Sequence, residues 1–205
     1  MSDTQVPLLP THYYHIYNHA IGRENIFDRD DDYLYFLNKT EKHLGPVCTI
    51  LSYCLLPNHF HFVVQIKPEA EISEYLSIRL GSDKFDRRKA ANEYFVSDQV
   101  SQHFSNLFNT YSKHYNFFKG RTGSLFKRAF RRVEISDMNY FRNVIFYVHQ
   151  NPVEAGFASD MSGWRYSSYS ELIKGKINFT VRDEVMELFG GFENFQAFHN
   201  YKSGK

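Results

Sequence analysis

Two short patterns in this 205-residue chain combine residue types that can work on a phosphate. The first is His59-Phe60-His61. Side chains alternate across an extended strand, so His59 and His61 project on one face while Phe60 points to the other. Two imidazoles on one face are close enough to bind one cation. Phe60 and Phe62 would anchor the apolar face and leave the histidines facing outward. The second pattern is FYVHQNPVEAGF, which holds Tyr147 and Asn151. Four residues apart on a helix, they share a face with roughly 5–6 Å between Cβ atoms, whereas His149 points elsewhere. A nucleophile and a metal-ligating amide would then stand side by side, able to face a strand carrying two histidines.

The chemistry explains why those types belong together. A phosphodiester is negatively charged and repels nucleophiles. A metal ion that withdraws charge from a non-bridging oxygen acts as Lewis acid. A tyrosine hydroxyl that attacks phosphorus gives a phosphotyrosine, which conserves the bond energy so that a strand can be rejoined. An ordinary phenol titrates near 10, so only about 0.1% is phenolate at pH 7, a deficit of roughly 4 kcal/mol that metal and basic neighbours must offset. Each pattern also has an ordinary reading. With 10 histidines, a His-x-His on a half-exposed strand is unsurprising, and most of the 15 tyrosines belong to the core or the surface. Tyr140, two turns before Tyr147, is read as a packing residue. The positions four residues either side of Tyr147 are Asn143 and Asn151, which argues against a two-tyrosine arrangement.

A basic segment follows from the charge distribution. The net charge is only +1. Yet Lys113, Lys119, Arg121, Lys127, Arg128, Arg131 and Arg132 fall within twenty residues that contain no Asp or Glu. They are interleaved with Tyr115, Phe117, Phe118, Phe126 and Phe130, and cationic grooves with stacking platforms are how proteins hold unpaired nucleic-acid strands. A solvated surface with core aromatics behind it is the competing view. The acidic run Glu24, Asp28, Asp30, Asp31 and Asp32 cancels the cations in the total. Cys48 and Cys54 lie in an apolar stretch, outside any C-x-x-C pair, and read as buried free thiols of a reducing cytoplasm. No basic region precedes an apolar run near the N-terminus, and no stretch approaches about 18 apolar residues, so neither export nor a membrane is expected.

The elements that must position these residues can be read in order. Residues 12–20 suit a strand, and Asp30 to His43 a helix with acids in its first turn. Residues 47–56 form an apolar run ended by Pro57-Asn58, and 59–66 a second strand, making a hairpin. Residues 71–80 suit a helix. The polar stretch from Gly81 to Asn92 reads as an exposed insertion or loop. Gln99 to Phe118 returns to helix, Gly120–Gly123 breaks it, and 124–135 supplies a strand. Ser136 can cap a helix from Asp137 to His149 that Asn151-Pro152 stops. The order predicts an α+β fold, ferredoxin-like in plan, with helices packed on one side of an antiparallel sheet. Residues 1–170 would form the main domain, with 81–98 as a polar insertion or loop, and 171–205 a helical extension packed back on it.

Together these stretches resemble a known family, the small single-tyrosine HUH transposases, and within it the REP-associated tyrosine transposases of bacterial chromosomes. The resemblance spans about residues 12–170. It rests on YHIYNHAIGRENIF, LSYCLLPNHFHFVV, YNFFKGRTGSLFKRAFRRVEI, YVHQNPVEAGF and WRYSSY. It implies a ferredoxin-like nuclease domain that cuts single-stranded DNA beside a folded hairpin, using magnesium or manganese. By position, His59 and His61 match metal-binding histidines and Asn151 a third polar ligand. Tyr147 matches the nucleophile that becomes linked to a 5′ phosphate, releasing a 3′ hydroxyl. Lys119, Arg121, Lys127, Arg128, Arg131 and Arg132 would contact DNA. Such relatives include dimers and monomers, so a homodimer stays open. Two other readings compete: a hairpin-binding protein of the same fold that does not cut, and a metal-dependent hydrolase of small phosphoesters that uses His-x-His without the tyrosine.

Overall fold

The computed structural model describes residues 6–22, 24–127, 129–175 and 181–204. Four strands, β1 (Tyr13–His19), β2 (Cys48–Leu56), β3 (His59–Ile66) and β4 (Arg131–Ile135), form one antiparallel sheet in the order β2-β3-β1-β4. Between them run α1 (Asp30–Leu44), α2 (Glu69–Leu80), α3 (Ser82–Ala91) and α4 (Phe95–Lys119). After β4 come α5 (Met138–Glu154), a 3-10 turn at Met161–Gly163, α6 (Tyr169–Lys174), α7 (Arg182–Phe189) and α8 (Phe192–Lys202). The α+β, ferredoxin-like expectation holds, and the β2–β3 hairpin turns at Pro57-Asn58 as read from the sequence.

Helices cover both faces of the sheet, not one. On one side, Tyr14, Ile16, Phe60, Phe62 and Val64 pack with Phe36 of α1 and Phe104, Leu107 and Tyr111 of α4. On the other, Cys54, Leu56 and Val63 pack with Phe141, Val144, Ile145 and Val148 of α5 and with Leu172, Val185, Phe189 and Phe195 of α6 to α8. The physical reason is visible in β2, which is apolar at nearly every position and buried along almost its whole length. A strand covered on one face alternates apolar with polar residues, whereas one covered on both does not. The segment 166–168 lines the free edge of β2, with Leu55 N donating to Tyr166 O and Ser168 N to Tyr53 O. An exposed row of strand hydrogen-bonding groups is thereby closed.

Four local expectations are corrected. Residues 82–91 are the helix α3. Its Lys, Arg and Ala content favours helix, Phe85 is buried against Phe95, and Lys89 reaches Glu69 at 2.7 Å. The strand after the glycine break is only Arg131–Ile135, with Phe126 making an isolated bridge to Ala20 before it. Helix α5 is capped by Asp137, whose Oδ1 accepts from Tyr140 N at 2.8 Å, and continues through Pro152 to Glu154. Proline removes one helical hydrogen bond, but Pro152 is buried, so packing carries the last turn across it. Tyr140 is exposed rather than packed. Cys48 and Cys54 are buried free thiols, as expected. Among the described residues, no helix is long and apolar enough to cross a membrane.

Candidate active site

Cross-strand register assembles a ring-lined patch on the face of the sheet that α5 covers. Tyr17 of β1 stands opposite His61 of β3, and His19 opposite His59. Alternation places His15, Tyr17 and His19 on the same face as both β3 histidines. The rings stack accordingly. His19 lies on His59 with centroids 4.6 Å apart, and His61 sits 5.1 Å from His15 and 5.6 Å from Tyr17. Because α5 lies over this face, the β3 histidines do not face outward as expected. His61 is 3% exposed and His59 is half-buried.

From α5, Tyr147 brings its ring to 5.4 Å from that of His61, edge to face, and 6.0 Å from that of His15. Tyr147 remains 39% exposed, open to an incoming molecule. One turn later, Asn151 is buried with its Oδ1 3.2 Å from His59 Nε2. The four residues singled out from two distant motifs therefore meet. Sequence reasoning passed over His15, Tyr17, His19 and Asn58, whose Oδ1 lies 2.7 Å from His59 Nδ1. The alternation in HYYHIYNH was a visible signal for the first three, but their register against β3 was not.

Burial decides the protonation of these rings. Desolvation, followed by the neighbouring histidines, holds His61 well below the usual imidazole range. His59 is lowered by burial despite its contact with Asn151, and burial pushes His15 down to about 4. His19 also falls to about 4, through burial first, then His59 and the Lys127 ammonium. Neutral rings are the ligating form of histidine. Two features of the site fit a bound cation. His61 Nε2 is buried with no hydrogen-bond partner among the described residues. A neutral His59 ring has one N–H for two amide oxygens, so one of its nitrogens meets an oxygen lone pair with its own. If Nδ1–H donates to Asn58, then His59 Nε2 and Asn151 Oδ1 become two unprotonated donors 3.2 Å apart, near the ligand spacing of a small six-coordinate ion such as magnesium. Among the described residues, no three His, Cys, Asp or Glu side chains are grouped to hold a metal, so the donor set on offer is two imidazoles and one amide.

The basic segment is less uniform than its sequence. Lys119 pairs with Asp28 and Arg121 with Glu24, each at 2.7 Å, so the acidic run neutralises part of it locally. Arg132 donates to Ser101 Oγ at 2.7 Å and lies over Phe130, on the α4 side of the sheet. Arg131 is exposed and pairs with Tyr17, which puts it on the histidine face. Lys127 is exposed beside the end of β1, its backbone N–H donating to His19 O. Arg128 lies outside the described residues. Tyr115, Phe126 and Phe130 are core, while Phe117 and Phe118 are exposed at the end of α4.

A family model described as "Transposase IS200 like" matches residues 9–81, which contain β1 and both β3 histidines. A chain of Haemophilus influenzae, provisionally named a REP-associated tyrosine transposase, is 24% identical over 158 residues, covering 73% of this chain and 78% of that one. A solved structure of a REP-associated tyrosine transposase bound to a REP hairpin shares the fold, with a TM-score of 0.57 and 14% identity over 87% of this chain and 89% of that chain. Motifs, family model, curated relative and fold thus converge on the single-tyrosine transposases, IS200-like and REP-associated, as the family this chain resembles.

Proposed function

We propose that the chain is a metal-dependent single-strand DNA endonuclease and strand transferase acting at hairpin-containing DNA. The observation that carries this reading is the meeting of Tyr147 with His61 and of Asn151 with His59 across two elements distant in sequence. His59 Nε2, His61 Nε2 and Asn151 Oδ1 would hold a magnesium or manganese ion. Such an ion supplies Lewis acidity to a non-bridging phosphate oxygen. The exposed Tyr147 hydroxyl attacks phosphorus, so a Tyr147 Oη–P bond forms as the P–O3′ bond breaks. The phenol proton is lost, and the departing 3′ oxygen takes up a proton to leave as a hydroxyl. Attack by a 3′ hydroxyl on the phosphotyrosine reverses the exchange and rejoins a strand. Exposed Lys127 and Arg131 border this face and would contact the phosphate backbone, and Arg128, next to Lys127 in sequence, would join them. Lys119, Arg121 and Arg132 could reach DNA only beyond this face, the first two paired with acids and the third on the α4 side of the sheet. That a solved relative of the same fold is bound to a REP hairpin supports hairpin DNA as the partner class.

The test is incubation with hairpin-bearing single-stranded DNA and Mg2+ or Mn2+, followed by denaturing electrophoresis. Wild type should give a covalent protein–DNA adduct and Tyr147→Phe none. An adduct that persists in Tyr147→Phe removes Tyr147 from its role. Tight hairpin binding with no adduct in either protein would favour the non-cutting alternative.

A further inference from the structure

We propose that His15 is a positioning residue for the site: by accepting the Nδ1 proton of His61, it fixes the tautomer in which the His61 Nε2 lone pair is available to a cation. The proposal rests on the reading that His59, His61 and Asn151 hold a divalent ion. Neither motif that pointed to the site includes His15.

His15 Nε2 lies 2.9 Å from His61 Nδ1, both residues are buried, and their rings are nearly parallel at 22°. Tyr17 stacks on both rings and limits their rotation. A neutral imidazole carries one N–H and one lone pair, so a hydrogen bond between two of them runs one of two ways. If His15 donates, His61 must carry its own proton on Nε2. That buried N–H has no acceptor among the described residues, and a buried donor left unsatisfied is destabilising. If His61 donates, its Nε2 presents a lone pair at the same buried point, which a cation completes. Only the second arrangement can ligate. Metal-binding histidines generally hand their other N–H to a fixed acceptor, and losing that acceptor weakens metal affinity by about 10–100-fold. The charged or titrating groups that act on His61 are His15, His59 and His19, and only His15 has a ring nitrogen at hydrogen-bond distance from Nδ1.

Nitrogen-detected NMR of the metal-free wild type reads the His61 tautomer directly, and the proton is expected on Nδ1. His15→Phe keeps a flat ring in the stack but has no acceptor, whereas His15→Gln restores an acceptor oxygen without the ring. In His15→Phe, the His61 proton should shift toward Nε2, and Mn2+ affinity, read from the free-ion resonance signal, should fall about tenfold or more. His15→Gln should keep the Nδ1 proton and lose clearly less affinity. A wild-type proton on Nε2 overturns the proposal, and this measurement needs no variant to fold. So does His15→Phe with affinity intact, or a pattern in which Gln loses affinity and Phe keeps it, which would mark ring packing alone. Absence of Mn2+ uptake by the wild type overturns the cation-holding reading itself. The tautomer, read without metal, tells that failure apart from a failure of His15.

Discussion

At the scale of residues, the site is held together by groups that are not mutually satisfied. His59 is flanked by two amide oxygens and has one proton to give, and His61 Nε2 faces no partner among the described residues. Buried polar groups are normally paired, so such exceptions concentrate where a ligand completes them. The expected consequence concerns Asn151. Asn151→Leu removes an acceptor of similar size, and Mn2+ affinity should drop by at least about tenfold, since even outer partners of a metal site reach that range. Asn151→Asp supplies a charged oxygen at the same position and should bind Mn2+ more tightly than wild type. Calorimetric titration decides the matter, and equal affinity in all three proteins would exclude residue 151 as a donor. His59, His61, Tyr147 and Asn151 were legible in the sequence because strand and helix periods fix which residues share a face. His15, Tyr17 and His19 have the same period-two spacing. Their role depends on the β1–β3 register, which no local pattern encodes.

At the scale of elements, helix α5 decides where Tyr147 points, and a buried polar chain fixes its roll. His149, two residues from Tyr147, projects into the core, where its Nε2 lies 3.0 Å from Ser52 Oγ and 2.9 Å from Ser168 Oγ. Its Nδ1 lies 3.0 Å from His199 Nε2, and His199 Nδ1 lies 2.8 Å from Phe195 O. A carbonyl only accepts, so the protons have one consistent direction. His199 donates to Phe195 O, His149 donates to His199, and a serine hydroxyl donates to His149. Replacing His149 by Phe leaves His199 Nε2 without its donor, while Ser52 and Ser168 keep each other and the Tyr53 backbone as partners. For that one unsatisfied buried group the loss should be about 1–3 kcal/mol, or roughly 2–12 °C in Tm. The adduct yield of His149→Phe at a temperature where it is folded should fall further than its hairpin affinity does. Equal losses would mean that α5 is not held by this chain of bonds. The start of α5 could be read from the sequence. Its end could not, because Pro152 is a local stop signal overridden by burial, just as the polar composition of 82–91 concealed a helix anchored by Phe85.

At the scale of the whole molecule, the C-terminal helices are part of the sheet's second layer. Phe195 and Phe189 sit in one cluster with Val144, Ile145 and Val148 of α5, and His199 ties α8 to α5 through His149. The near-continuous apolar run of β2 was a signal of two covered faces that the one-sided reading passed over. The partner for the second face could not be named from the sequence, because the apolar residues of the tail are too widely spaced to declare what they pack against. This packing makes stability depend on pH. His199 is pushed down to about 4, by burial first, and His149 is held well below the usual range by burial and by His199. The groups facing His199 from the packed elements are the His149 ring of α5 and the phenol of Tyr169 on α6, neither of them an acid able to stabilise an imidazolium. With the folded value below the unfolded value near 6.5, the unfolded chain binds more protons, so stability is full above about pH 6.5 and is lost as pH falls toward 4. A second proton on His199 would also set its Nε2–H against the Nδ1–H of His149. At pH 5 the His199 contribution alone is about 2 kcal/mol, so Tm should lie about 4–8 °C below its value at pH 7.5. His199→Gln keeps a donor and an acceptor without a titrating group. It should flatten the decline of stability with pH by close to one proton, measured by urea unfolding across that range. An unchanged slope in His199→Gln would show that acid weakens the molecule elsewhere, and that α8 is not the pH-sensitive part of the second layer.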